Sequence, residues 1–462
     1  MSVAARPSFW FGGVPILACI ASCEFLGMVP PFAPHGAASC AQGAEPAPLR
    51  ASCSFGAGAL SIDTVACPAS GADIPIQHVI VLMQENRSFD HYLGHLPGQG
   101  QDDVDVPAGG VSNPLADGVT VVPWTHLSAA CFDNPNHSWQ GSHQAWNQGQ
   151  NDGFVVASAG PNDVEGNDPT GSRAMAFYDA SDLAFYYQLA STFAISDRYF
   201  SDVLGPTFPN RLYLYAGSSF GIVGDDVDTD LHRTIFGALN DAGISWKVYG
   251  SDVPAALLTV SFLGDSIGHL AGIDDFAEDA QQDQLPAVSF LDPAFLTAQA
   301  TLTSEEPPAD MQVGQQFVYR QVRALMSSAS WATSAMFITR DEAGGLYDHV
   351  PPPEACLPDG MPPAQQPELG GFDRYGFRVP VFVVSPYARA HFVSHAVHSH
   401  ASILRFIEMR FGLPALSGRD ANADAMLDMF DFTSPPFLTP PDLAPPPVDA
   451  SRLVDCTAKY GR

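Results

Sequence analysis

Positive charge is scarce in this chain. Across 462 residues, 20 lysines and arginines face 50 aspartates and glutamates, a formal net charge of −30. Nucleic-acid binding is driven by Lys and Arg neutralising phosphates, so this balance argues against that class of function. It also disfavours docking on strongly anionic membranes. A long apolar run is missing too. The best stretch, Phe9–Ile20, is broken by Gly12, Gly13 and Pro15 and follows a single early Arg6. That is too short and interrupted to span a bilayer and reads as a targeting segment. No two cysteines stand in CxxC spacing, so a structural zinc site is not expected. There is no internal repeat and no clear linker in mid-chain.

With 46% hydrophobic residues the chain can bury a full core. Residues 1–23 are expected to be a signal segment, and Ile20-Ala21-Ser22-Cys23 loosely fits a bacterial lipoprotein cleavage site. Residues 24–73, rich in Ala, Gly, Pro and Ser, read as a tether with little fold of its own. Residues 74–433 are expected to form the main folded domain, and 434–462 a tail whose Pro-rich part, Ser434–Pro447, reads as an extended surface segment. Cys40, Cys53, Cys67, Cys131, Cys356 and Cys456 would remain after export. An even count permits disulfides, but six cysteines allow fifteen pairings and spacing selects none.

The most informative stretch is IQHVIVLMQENRSFDHYLG, residues 76–94. The apolar run Val79–Met83 suits a strand buried on both faces of a parallel sheet. It breaks into Gln84-Glu85-Asn86, and ligands bind beyond the carboxyl ends of such strands. A second apolar strand, Ala335–Thr339, ends in Arg340-Asp341-Glu342, then Gly344-Gly345 and Asp348-His349. Either acidic pair alone would be read as a helix cap or a solvated loop. Two strands ending in adjacent oxygen donors can build one site for a hard metal ion.

A third segment is SDVLGPTFPNRLYLYAG, residues 201–217. Gly205-Pro206 marks a turn and Pro209 suits a first helical turn. Thr207 therefore falls at a helix N-terminus, where negative charge is favoured. Its hydroxyl is a candidate nucleophile toward phosphate, against the plainer reading of an N-cap threonine.

Ile244–Tyr249, Ala287–Leu291 and Val379–Val384 read as further strands, and Val313–Met326 and Ile403–Phe411 as helices. The fold class is α/β, a mostly parallel central sheet between helix layers. Irregular insertions such as 95–175 are expected to shape the mouth of the site. Asp226-x-Asp228-x-Asp230 starts like a calcium loop but lacks its glycine and final glutamate, having Leu231 and Gly237, and reads as a solvated acidic loop.

These segments resemble the bacterial phosphoesterases that include non-specific phospholipases C and metal-dependent acid phosphatases. The likeness runs from about Ile76 to Phe432. It includes HSWQGSHQAWNQGQNDGF (137–154), LPAVSFLDP (285–293), RVPVFVVSPYAR (378–389) and SILRFIEMRFGLPAL (402–416). The resemblance implies an alkaline-phosphatase-like core. It implies Glu85, Asn86, Asp341 and Glu342 as metal ligands, with Thr207 as nucleophile touching the same ion. Asn210 would donate to a phosphate oxygen. His137 and His349 would contact phosphate or protonate the leaving group. Trp139, His143, Trp146 and His400 would contact substrate, with Trp139, Trp146 and Phe154 as an aromatic wall for a choline-like cation.

Two positions depart from the family: Glu306 stands where a His is common in a Glu-His-Pro segment, and Ser399-His400 where an Asp-His pair is common. The oxygen-rich set suits Ca²⁺, Mg²⁺ or Mn²⁺ better than zinc. The implied function is an exported phosphoester hydrolase, secreted, periplasmic or lipid-anchored, making at most peripheral membrane contact. It would cleave phospholipid-like diesters through a phosphothreonine. The alternatives are an acid phosphatase acting on monoesters, or a catalytically impaired surface binding protein on the same fold.

Overall fold

The computed structural model describes residues 47–64, 71–161, 167–266, 268–296 and 301–461. The targeting segment, Cys23, Cys40 and Cys67 lie outside them.

Eight strands form the central sheet: β1 (His78–Gln84), β2 (Ala194–Ser196), β3 (Trp246–Gly250), β4 (Leu270–Gly272), β5 (Val288–Asp292), β6 (Ser334–Arg340), β7 (Val381–Val384) and β8 (Phe392–Ser394). Their spatial order is β4-β3-β5-β1-β6-β7-β2-β8. All neighbours are parallel except where β7 runs antiparallel to both β6 and β2. Side chains alternate faces along a strand. Val79, Ile80, Val81, Leu82 and Met83 are nonetheless all buried. Both faces of the sheet are therefore covered, as the continuous apolar run implies. The α/β architecture expected from the sequence is the one found.

The register of β1 positions the site. Gln84 pairs with Arg340 on β6, and Leu82 with Leu291 on β5. Glu85, Asp341 and Asp292 consequently emerge side by side at the carboxyl edge of three adjacent parallel strands. The crossing continues past the ladder: Asp341 N donates to Gln84 O at 3.1 Å and Arg87 N to Glu342 O at 3.1 Å.

Six helices matter here: α1 (Ala184–Thr192), α2 (Thr207–Ala216), α3 (Ile235–Asp241), α4 (Ile273–Gln281), α5 (Met311–Met326) and α6 (His400–Phe411). They pack in two groups, α2 with α3 and α6 in one, α1 with α5 and α4 in the other. Helix α2 starts at Thr207 and stops at Gly217 in the left-handed conformation, as Pro and Gly punctuation predicts.

Among the described residues two disulfides tie outlying segments to the domain, Cys53–Cys356 across 303 residues and Cys131–Cys456 across 325. The described part of the expected tether is thus held down. Phe55 N donates to Asn422 Oδ1 at 3.1 Å, and Arg50 Nη1 to Thr64 O at 2.6 Å. The tail is pinned as well. Trp331 Nε1 donates to Phe437 O at 2.8 Å, Gln316 Nε2 to Pro446 O at 2.6 Å, and the chain ends in a helix, Ala450–Tyr460, that carries Cys456.

Candidate active site

A cavity of about 440 Å³ opens at the carboxyl edge of β1, β5 and β6. Its polar side is Glu85, His137, Thr207, Arg211, Asp225 and Glu306. Its other side is apolar, formed by Phe208, Val227, Val253, Leu257, Leu258 and Phe295 among others.

Glu85 follows β1 directly, and Asn86 turns the chain with φ +54°, the left-handed region that asparagine tolerates better than most residues. That turn aims Asn86 N at Asp341 Oδ1, 3.1 Å away. Gly344 and Gly345 let the β6 loop close over it. A Cβ on Gly344 would lie 2.6 Å from Asn86 O, and one on Gly345 2.4 Å from Asn136 O. The glycine pair is there for close approach, as its sequence position suggests.

Three buried oxygens of this cluster have no hydrogen-bond partner among the described residues: Asn86 Oδ1, Asp341 Oδ2 and Glu342 Oε1. Each costs roughly 1–3 kcal/mol if left unsatisfied. A hard divalent cation satisfies such a set, so the residues present fit the metal that the resemblance implies. Burial, reinforced by Asp341, raises Glu85 well above its usual range and pushes Glu342 up to about 8. Carboxyls held this unfavourably as bare anions want a positive partner.

Arg211 provides part of one. It sits one turn after Thr207 on the same face of α2, fully buried, with Nη2 3.3 Å from Glu85 Oε1 and Nε 3.4 Å from Asp341 Oδ2. Nη1 is 3.7 Å from Asp292 Oδ1. Burial alone would lower its pKa, but Asp341 and Glu85 reverse this and raise it. Nε and Nη1 keep unused donor capacity, the property a phosphate site needs. Sequence reading missed Arg211; the signal was its i, i+4 spacing from Thr207.

Asp225 was missed as well. It reaches in from a loop and its Oδ1 accepts from Phe208 N at 3.0 Å, in the first turn of α2. The neighbouring Asp228, expected in a solvated loop, is buried and accepts from Thr259 Oγ1 at 2.9 Å. Glu306 enters the cavity beside Glu85, close enough for their carboxyls to share a hydrogen bond, and is steadied by Asn134 Nδ2 at 3.0 Å.

His137 lines the cavity, with Nδ1 2.9 Å from Pro135 O and Nε2 3.4 Å from Asn86 Nδ2. Burial lowers its pKa, but Glu342, Glu306 and Asp225 outweigh burial and raise it. It is the one predicted histidine placed against this cavity.

The other expected contacts are placed elsewhere. Asn210 is wholly buried, and its amide is consumed by the turn before Thr207. Oδ1 accepts from Asp202 N and Val203 N, while Nδ2 donates to Gly205 O and Pro206 O, each at 3.0 Å. It shapes the turn before Thr207 and has no hydrogen left for phosphate. His349 is held by two carboxylates, with Nδ1 2.7 Å from Asp90 Oδ2 and Nε2 3.1 Å from Asp105 Oδ1, and is not in the cavity wall. Trp139 is core, packed on Phe372, and His143 hydrogen-bonds Trp139 O. Trp146 lies under the Arg374 guanidinium, and Phe154 is fully buried. No aromatic wall forms from these three rings at the cavity. His400 lies beneath the cluster, its Nε2 2.7 Å from Asp341 O, and so holds Asp341 rather than facing the cavity. Ser399, in place of the family's Asp, donates to Asp202 Oδ1 at 3.0 Å.

Residues 76–414 match the model of the Phosphoesterase family, and the chain belongs to that family. Phospholipase C B of Mycobacterium tuberculosis is 35% identical over 429 residues, covering 80% of each chain. The non-specific phospholipase C1 of Arabidopsis thaliana is 32% identical over 395 residues, covering 78% of this chain and 72% of that one. A solved structure of a protein in the alkaline phosphatase superfamily from Vibrio parahaemolyticus covers 79% of this chain and 95% of that one, at 9% identity and a TM-score of 0.34. The protein is accordingly a hydrolase acting on phosphoester bonds.

Proposed function

We propose that this chain cleaves phosphodiesters in the manner of a phospholipase C, with a preference for phosphatidylcholine-like lipids. The observation that carries this reading is a cavity with two unlike sides. Thr207, Arg211 and the carboxylate cluster form a phosphoryl-handling floor, and Leu257, Leu258, Val227, Val253 and Phe295 form an apolar wall beside it. A simple monoester needs no such wall; a diester with an apolar leaving group does. Asp225 and Glu306 on the polar side of the cavity favour a cationic headgroup over an anionic one. The similarity to phospholipases C at 32–35% identity supports the same choice.

Thr207 Oγ1 attacks phosphorus, its proton passing to a carboxylate of the cavity. The bond from phosphorus to the glycerol oxygen breaks, the departing oxygen takes a proton, and a phosphothreonine remains. Water then attacks phosphorus from the side the glycerol oxygen left, opposite Thr207 Oγ1, and gives a proton back to His137. The bond from phosphorus to Thr207 Oγ1 breaks, that oxygen regains its proton, and the phosphorylated headgroup is released. Arg211 and the N-terminus of α2 hold the phosphoryl oxygens as charge shifts among them. His137, whose pKa is raised by Glu342, Glu306 and Asp225 against the effect of burial, supplies the proton to the leaving oxygen. Glu85, Asn86, Asp341 and Glu342 would hold a divalent ion, Ca²⁺, Mg²⁺ or Mn²⁺ by ligand type, which supplies Lewis-acid stabilisation of that charge. Two disulfides support an exported location. Among the described residues no helix is long and apolar enough to cross a membrane.

The test is the ratio of kcat/KM for p-nitrophenylphosphorylcholine to that for p-nitrophenyl phosphate at one pH, with metal present. A ratio well above one is expected. A ratio well below one removes the phospholipase reading in favour of an acid phosphatase, and turnover of neither favours a binding protein on the same fold.

A further inference from the structure

A second cluster of ligand-bearing side chains lies outside the cavity wall. His398 opens a two-residue strand, His398–Ser399, that pairs with Tyr199–Phe200 and leads into α6. Facing it is the loop after the short helix Gly418–Asn422, which brings in Asp424 and Asp428. His398 Nε2 is 3.3 Å from Asp424 Oδ1 and 3.6 Å from Asp428 Oδ1. One ligand atom from each of the three residues lies within 4.8 Å of the others.

The histidine makes this more than an acidic patch. His398 is 1% exposed, and its Nε2 has no hydrogen-bond partner among the described residues although two carboxylates flank it. Either a lone pair faces two negative oxygens, or an N–H is held with no properly aimed acceptor; both are costly when buried. A cation at the point where the three atoms converge removes the cost. On the far side of the ring, Nδ1 lies 3.4 Å from Ser196 Oγ, an oxygen that can take the Nδ1 hydrogen and fix the tautomer.

The remaining contacts leave each facing oxygen with a lone pair to offer. Asp424 Oδ1 also accepts Met426 N at 2.8 Å, and Asp424 Oδ2 faces Arg50 Nη2 at 3.6 Å. Asp428 Oδ2, the oxygen away from His398, accepts from Ser394 Oγ. Arg389 Nη1 bonds the backbone oxygen of Asp428 rather than its carboxylate.

We infer that His398, Asp424 and Asp428 form a second divalent-cation site, of a kind suited to zinc. One imidazole and two carboxylates with an open fourth position is a zinc-compatible set. Ligands about 2.0–2.2 Å from a tetrahedral ion stand about 3.3–3.6 Å apart, the separation of His398 Nε2 from each of the two carboxylates. The clamp joins the 394–398 segment to the 424–428 loop. Two residues on, His400 holds Asp341 O, so the ion steadies the base of the catalytic loop from outside the cavity.

Zn²⁺ binding by chelator-stripped protein, measured by equilibrium dialysis with elemental analysis, tests this. The background is Glu85→Gln with Asp341→Asn, which removes the cavity carboxylates as competitors. About one equivalent is expected to bind. His398→Gln in that background reduces it to near zero, and Asp428→Asn, at a half-exposed position, weakens it at least tenfold. Circular dichroism confirms that each variant is folded, and X-ray absorption of the bound zinc shows one nitrogen among oxygen ligands. Absence of zinc binding in the background protein, or a stoichiometry that neither variant changes, overturns the site. Because activity is not the readout, failure here is separate from failure of the phosphodiesterase reading.

Discussion

Asn86 N donates to Asp341 Oδ1 at 3.1 Å, tying the loop after β1 to the loop after β6 and leaving Asp341 Oδ2 turned toward Arg211 Nε at 3.4 Å. One oxygen of this carboxylate is used to hold the site together. The other is offered to a cation.

Replacing that carboxylate separates the two uses. Asp341→Asn keeps the acceptor for Asn86 N but loses the charge. Divalent-ion binding and activity should disappear together, with kcat/KM down by about 10³-fold or more. Isothermal titration of the metal alongside the assay checks this. Full activity with no metal bound would contradict the cluster's role.

Arg211 and Asn210 are adjacent in sequence but should fail differently. Arg211→Lys keeps a charge but loses the fork, and kcat should fall by about 10²-fold with little change in Tm. Asn210→Ala removes a buried side chain that satisfies both sides of the turn before Thr207, and should cost about 2–4 kcal/mol of stability. Thermal melts and steady-state kinetics on both variants distinguish a phosphate contact from a turn-former. An Asn210→Ala protein of unchanged Tm and raised KM would restore the phosphate role.

The apolar wall should matter only for lipids. Leu258→Asp is expected to reduce kcat/KM on a phosphatidylcholine dispersion by about 10–200-fold. Turnover of water-soluble p-nitrophenyl phosphate should stay within a few-fold. Equal losses on both would show that the wall supports the fold and not the substrate.

Acid–base behaviour follows from the buried carboxyl. Glu342 binds its proton more tightly folded than unfolded, at about 8 against 4.5. Its contribution to stability is fully present below 4.5 and lost by about 8. His137, also raised, acts in the same direction. In chelator, Tm should therefore fall as pH rises from about 5 to 8. The increment in Tm from saturating Mg²⁺ or Ca²⁺ should grow over the same range, because the ligands must lose protons to bind. Calorimetry at four pH values checks both slopes.

What could be read from the sequence was local. Val79–Met83 and Ala335–Thr339 are apolar runs ending in polar pairs, and a parallel sheet turns that pattern into a shared edge. The start of α2 at Thr207 was legible because Pro206 and Pro209 fix it. Tertiary relations were not legible. Arg211 reads as an ordinary helix-surface cation until Glu85, Asp341 and Asp292 surround it. Trp139 and Trp146 read equally well as a wall or as core, since only packing decides. Asn210 shares a helix face with Thr207, and nothing in the spacing shows its amide turning back on Gly205 and Pro206. Cys53 finds Cys356 and Cys131 finds Cys456 through the fold, not through spacing.

The most direct measurement concerns the nucleophile. A diester made chiral at phosphorus with sulfur and oxygen isotopes, hydrolysed to completion, reports the number of displacements. Attack by Thr207 followed by water on the phosphothreonine gives two inversions, hence net retention of configuration. Net inversion would mean that water attacks phosphorus directly, and Thr207 would no longer be the nucleophile.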